Sequence, residues 1–196
     1  MTPINRQVFF NIPNLMSLGR IGAIPIIMLF LLLQGSHRSE EENRLLSVLS
    51  AIPFIAAAIF DLIDGYWARK YGQVSTMGKF IDPMADKLIH MAVMIMLIPM
   101  GRFPAWLCVI LLFREFLITG LRSVAAGEGI IISAAELGKQ KTAWMNVGLS
   151  GLLLYYPIFT VSVYTVGWIC VGVGVFFNII SGIQYVTAFF KGEKIK

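Results

Sequence analysis

The sequence predicts an all-α fold: a polytopic membrane protein with six transmembrane helices in one domain spanning 1–196, preceded by a short N-terminal interfacial helix. Three observations carry this. Hydrophobic residues make up 57% of the chain and charged residues only 14%, against about 25% charged in an ordinary soluble domain. Mean hydropathy is +0.76. The charges are also bunched, and residues 142–190 contain no Asp, Glu, Lys or Arg at all. A soluble enzyme, a disordered chain and a disulfide-framed secreted protein are all excluded.

A membrane-crossing helix needs about 20 mostly apolar residues. Five charge-free tracts stand out: Ile21 to Ser36, Leu45 to Phe60, Leu88 to Gly101, Phe103 to Phe113, and 142–190. The last is long enough for two spans, and Tyr155-Tyr156-Pro157 marks the break, because proline cannot continue a helix cleanly. The six helices are therefore expected at 14–34, 44–68, 79–99, 104–125, 136–156 and 158–189. The first resembles the core of a signal peptide behind Arg20, but Gln34-Gly35-Ser36-His37-Arg38 offers no small-x-small cleavage site, so it reads as a retained helix. Residues 2–12, with Val8, Phe9, Phe10 and Ile12, form the expected surface-lying helix. Cys108 and Cys170 each stand alone in an apolar run and read as small buried side chains, neither zinc ligands nor a disulfide.

The net charge of +5 comes from basic residues that flank apolar runs, a pattern of membrane topology rather than of nucleic-acid binding. With six spans both termini share one side, which collects thirteen Lys and Arg against three (Arg38, Arg44 and Arg102) on the other. The positive-inside rule puts the termini, and the loops after the second and fourth helices, in the cytoplasm.

The chain has four aspartates, Asp61, Asp64, Asp82 and Asp86, all within one stretch of 26 residues, DLIDGYWARKYGQVSTMGKFIDPMAD. Asp61 and Asp64 are three apart at the end of the second helix, and Asp82 and Asp86 four apart at the start of the third. Each pair therefore shares a helix face. A hairpin through Gly72 would bring the pairs together. Carboxylates at membrane depth cost about 2.5–3.5 kcal/mol each and are functional by default. Four like charges in one small volume call for divalent cations. All-oxygen ligation favours Mg²⁺ or Mn²⁺, one ion or two, over zinc. His90, one turn beyond Asp86, reads as a packed or hydrogen-bonded core histidine rather than a ligand. Around the carboxylates stand parts that a phosphate ligand needs: Gly65 and Gly78, which open the backbone, and Arg69, a forked donor. Taken alone, either glycine reads as a site of close helix packing; their placement in the acidic segment favours the ligand reading.

The spacing Asp-x2-Asp-Gly-x2-Ala-Arg-x8-Gly-x3-Asp-x3-Asp resembles, position for position, the signature of the CDP-alcohol phosphotransferases. Asp61, Asp64, Gly65, Ala68, Arg69, Gly78, Asp82 and Asp86 fit it without a gap. The resemblance implies metal-dependent transfer of a phosphatidyl group from a CDP-linked lipid to an alcohol, with release of CMP. It implies that Asp61, Asp64 and Asp82 ligate metal, that Asp86 is the general base with a metal contact as well, and that there are two ions. Gly65, Ala68, Arg69 and Gly78 would line the CDP pocket. Asn14, Ser17 and Arg20 correspond to an N-terminal motif near the nucleotide, Ser17 standing where threonine is more usual.

Arg114 and Arg122 on the fourth helix are eight residues apart, about two turns and on one face, and Lys139 and Lys141 open the fifth. Four cations call for an anion, and an acceptor phosphate would suit them, although contact with lipid headgroups is the competing reading, most of all for Lys139. The segments REFLITGLRSVAAGEG, GKQKT and NIPNLMSLGRI are similar to the bacterial branch of the family, whose acceptor is sn-glycerol 3-phosphate and whose product is phosphatidylglycerophosphate. That branch implies the substrates CDP-diacylglycerol and sn-glycerol 3-phosphate. It further implies Arg114, Arg122, Lys139 and Lys141 at the acceptor phosphate, a homodimer, and an inner-membrane enzyme whose active site faces the cytoplasm. Other acceptors such as inositol phosphate or serine, an intramembrane Mg²⁺-dependent prenyltransferase, and a divalent-cation transporter are the alternatives. A prenyltransferase would place its aspartate clusters on well-separated helices, and a transporter leaves Arg69 and the four acceptor cations unexplained.

Overall fold

The second helix opens at Glu40, four residues before its expected start at 44, because Ser39 and Glu42 cap it reciprocally. The Ser39 N–H donates to Glu42 Oε2 at 2.9 Å, and the Glu42 N–H donates to Ser39 Oγ at 3.2 Å. This belongs to a computed structural model that describes residues 12–71, 78–127 and 136–191, excluding the side chains of 12–14, 62–71, 78–80, 126, 136 and 191. The expected interfacial helix at 2–12 lies outside the described residues except for Ile12, which opens the first helix.

Among the described residues six helices follow in order: α1 Ile12–Leu32, α2 Glu40–Tyr71, α3 Gly78–Leu97, α4 Ala105–Gly127, α5 Glu136–Leu154 and α6 Val163–Lys191. The fold is all-α. Five helices fall within a few residues of the expected bounds. The start of the sixth is a correction, at Val163 rather than 158. Before it, Tyr155 and Phe159 take positive φ values of 59° and 54°, and Ile158 and Val161 exchange two backbone hydrogen bonds of 3.1 Å. Ser162 then caps α6, accepting from the Thr165 N–H at 3.3 Å.

Among the described residues three helices are long and apolar enough to cross a membrane, over Leu15–Leu32, Glu40–Asp61 and Val163–Phe190. The other three carry several charges along their length: Asp82, Asp86 and Lys87 on α3, Arg114, Glu115 and Arg122 on α4, and Lys139 and Lys141 on α5. Large apolar side chains face outward, among them Leu29, Ile52, Trp106, Phe113, Ile169 and Phe176. Lipid, not water, is the solvent that suits such a surface.

The helices group into two compact units. In the first, α1 packs against both α2 and α3, over a core that includes Ile27, Leu31, Phe54, Ala85, Ile89 and Val93. Asn43 ties the turn between α1 and α2, exchanging hydrogen bonds of 3.1 and 2.9 Å with the backbone of Gly35. In the second, α5 and α6 cross at glycines: a Cβ on Gly151 would stand 2.7 Å from Gly167 Cα, and one on Gly148 2.8 Å from Val171 N. Ile118 and Ala125 of α4 pack on Tyr185 of α6, and Phe103 stacks on Trp168 at 5.8 Å. Both cysteines are buried and free, as the sequence led us to expect.

Candidate active site

The carboxylates of the first unit are organised by α1. Ser17 and Arg20, three residues apart, lie on one face of that helix, and each reaches a different neighbour. Arg20 Nη1 meets Asp61 Oδ1 of α2 at 2.7 Å, with the arginine side chain only 4% exposed and the aspartate 39%. Ser17, fully buried, donates its hydroxyl to Asp82 Oδ1 of α3. The helix that packs on both α2 and α3 therefore supplies one donor to each. The charges of Asp86 and Asp82 both act on Asp61, so three carboxylates from two helices influence one another; the hairpin reading brought in Asp64 as well, whose side chain lies outside the described residues.

Asp86 stands one turn beyond Asp82, half-buried. His90 Nδ1 lies 2.7 Å from the Asp86 carbonyl oxygen and 3.5 Å from its carboxylate. The His90 ring meets Phe54 edge-on at 5.8 Å. His90 is thus packed and hydrogen-bonded, as expected, but it also adjoins the acidic cluster. Asp64, Gly65, Ala68, Arg69 and Gly78 lie on described helices, while their side-chain surroundings, and those of Asn14, fall outside the described residues. Among the described residues no three His, Cys, Asp or Glu side chains form a group that could hold a metal ion. The donor chemistry nevertheless fits a hard dication: Asp61, Asp82 and Asp86 offer oxygen alone, and each remains partly accessible.

The second unit holds the remaining candidates. Lys141 of α5 donates to Glu115 Oε1 of α4, and Arg114 Nη1 lies 3.4 Å from the same oxygen. Arg114 Nη2 donates to Ser181 Oγ of α6 at 2.6 Å. The structure brings Arg114 and Lys141 together on one carboxylate, whereas Arg122 and Lys139 are exposed and stand outside those contacts. Glu115 and Ser181 did not emerge from the sequence as site residues. The only signal for Ser181 was a polar side chain in a tract without charges.

A family model described as CDP-alcohol phosphatidyltransferase matches residues 10–180. The chain belongs to the CDP-alcohol phosphatidyltransferase family. Among its relatives, a CDP-diacylglycerol–glycerol-3-phosphate 3-phosphatidyltransferase of Bacillus subtilis strain 168 is 39% identical over 182 residues, covering 91% of this chain and 94% of its own. A protein of the same name from Rickettsia bellii is 36% identical over 180 residues, covering 91% and 94%. A probable phosphatidylglycerophosphate synthase of Mycobacterium tuberculosis is 32% identical over 179 residues, covering 90% and 80%. Membership in the CDP-alcohol phosphatidyltransferase family sets aside the prenyltransferase and transporter readings.

Proposed function

We propose that this chain transfers the phosphatidyl group of CDP-diacylglycerol to sn-glycerol 3-phosphate, giving phosphatidylglycerophosphate and CMP. The observation that carries the chemistry is the gathering of Asp61, Asp82 and Asp86 from two helices under the paired donors Ser17 and Arg20. Near full-length similarity to relatives named for this reaction supports the choice of substrates.

In this reading Asp61, Asp64, Asp82 and Asp86 would hold Mg²⁺ or Mn²⁺, and two such ions would supply neutralisation of the diphosphate and of the charge developing on CMP. Ser17 and Arg20 fix the rotamers of Asp82 and Asp61. Asn14, Ser17, Gly65, Ala68, Arg69 and Gly78 receive the CDP moiety, as the family signature implies. Asp86 takes the proton of the acceptor hydroxyl while that oxygen bonds to the phosphatidyl phosphorus and the bond to CMP breaks, CMP leaving with the electron pair. Arg114 and Lys141, with Arg122 and Lys139, bind the acceptor phosphate, and the less exposed pair, Arg114 and Lys141, supplies the short-range contacts. All six helices cross the inner membrane, and the termini and aspartates face the cytoplasm, where both water-soluble reactants are found. The thirteen-to-three distribution of cations supports that orientation. A homodimer is the assembly we expect from the family resemblance.

Purified protein supplied with CDP-diacylglycerol, Mg²⁺ and labelled sn-glycerol 3-phosphate should release CMP and phosphatidylglycerophosphate in equal amounts. Turnover with inositol phosphate or serine, and none with glycerol 3-phosphate, would overturn the acceptor.

A further inference from the structure

The three donor positions of the Arg114 guanidinium are in three different situations. Nη1 lies 3.4 Å from Glu115, which also receives Lys141. Nη2 is taken by Ser181 Oγ at 2.6 Å. Nε is buried and has no hydrogen-bond partner among the described residues. A buried cationic N–H without an acceptor is costly, so this donor is the one that a bound oxygen would satisfy.

Ser181 is suited to holding that arrangement. Its side chain is fully buried, and its hydroxyl faces the Phe177 and Asn178 carbonyl oxygens at 2.7 and 3.1 Å. The hydroxyl proton belongs to those helix carbonyls, which leaves an oxygen lone pair to receive Arg114. Next to it, a Cβ on Gly182 would stand 3.3 Å from Arg114 Nε. Any retreat of the guanidinium from such a Cβ would stretch its contacts with Ser181 and Glu115. The glycine therefore protects the space beside the one unpartnered donor.

We propose that Ser181 and Gly182 are positioning residues for the acceptor: Ser181 fixes the plane of the Arg114 guanidinium, and Gly182 keeps clear the edge at which a phosphate oxygen binds. This rests on the assignment of Arg114 to the acceptor phosphate. It adds that α6, through a tract without charges, contributes to selecting a phosphorylated alcohol.

The test is steady-state kinetics of the full chain in mixed micelles with Mg²⁺. Ser181→Ala removes the partner of a charged donor and should raise KM for glycerol 3-phosphate about tenfold. Its kcat should stay within about twofold of the parent, and KM for CDP-diacylglycerol should not change. Gly182→Ala should also raise KM for glycerol 3-phosphate severalfold and leave KM for CDP-diacylglycerol unchanged. Gly182→Ala decides the matter if Ser181→Ala is less stable. A role in packing alone would move both KM values together, and that result overturns the proposal, as does an unchanged KM for glycerol 3-phosphate in both variants. A parent protein that turns over no glycerol 3-phosphate would instead overturn the functional reading on which the proposal rests.

Discussion

The contact between Arg20 and Asp61 can be weighed by a double-mutant cycle. Arg20→Met keeps the length of the side chain and removes its charge, and Asp61→Asn keeps the shape of the carboxylate. At 2.7 Å, Coulomb's law with an effective dielectric of about 40 gives about 3 kcal/mol. That value suits a pair in which the arginine is 4% and the aspartate 39% exposed. It lies well below the upper bound for a dry interior, since water reaches one partner. Each single variant should be less stable than the parent, and the double variant should lose less than the sum, leaving a coupling of about 2–3 kcal/mol. Asp61→Asn also relieves repulsion from Asp86 and Asp82, a contribution that the cycle cancels as long as it is the same with and without Arg20. The assay is reversible denaturant unfolding of detergent-solubilised protein in excess chelator, so that no divalent cation competes with the guanidinium. A coupling below about 0.5 kcal/mol would refute the idea that α1 positions the carboxylate of α2 through this contact.

Further consequences are open to simple tests. Ser17→Ala strips Asp82 of its hydroxyl donor and should cost about 1–3 kcal/mol together with activity, whereas Ser17→Thr keeps the hydroxyl and should retain most of both, as read by unfolding and by CMP release. Gly151→Ala forces a Cβ to within 2.7 Å of Gly167 Cα and should cost about 1–3 kcal/mol. Gly172→Ala, with nothing within 4 Å of its Cβ, should leave stability unchanged or raise it by up to about 1 kcal/mol, so unfolding midpoints of the pair should move apart. Asp86→Asn should abolish transfer while CDP binding, measured by calorimetry, survives.

The helices were legible in the sequence because their apolar tracts are long and bounded by charges, and α1, α3, α4 and α5 begin and end close to where those tracts place them. The early start of α2 was written in Ser39-Glu40-Glu41-Glu42, a capping box outside the apolar tract and so invisible to hydropathy. The late start of α6 was not legible. Its turn uses positive φ at Tyr155 and Phe159, residues that give no such warning, where glycine or asparagine would. The acidic stretch announced itself because aspartate occurs nowhere else in the chain. Its partners did not: Ser17 lies 65 positions from Asp82, and no local pattern connects helices that far apart. Glu115 was hidden in plain view beside Arg114, its role fixed by Lys141, 26 positions on. Ser181 is one small hydroxyl among several polar side chains of α6, with Thr165, Asn178, Gln184 and Thr187, and nothing in the sequence sets it apart from them.

The account stands on the four aspartates holding divalent cation against a nucleotide diphosphate, and electron paramagnetic resonance of Mn²⁺ binding tests that most directly. With the parent protein, CDP should tighten Mn²⁺ binding, and Asp61→Asn and Asp82→Asn should each weaken it by at least about tenfold, while Gly172→Ala leaves it unchanged. Mn²⁺ binding that ignores both aspartate substitutions, or CDP that binds equally well with and without the metal, would contradict it.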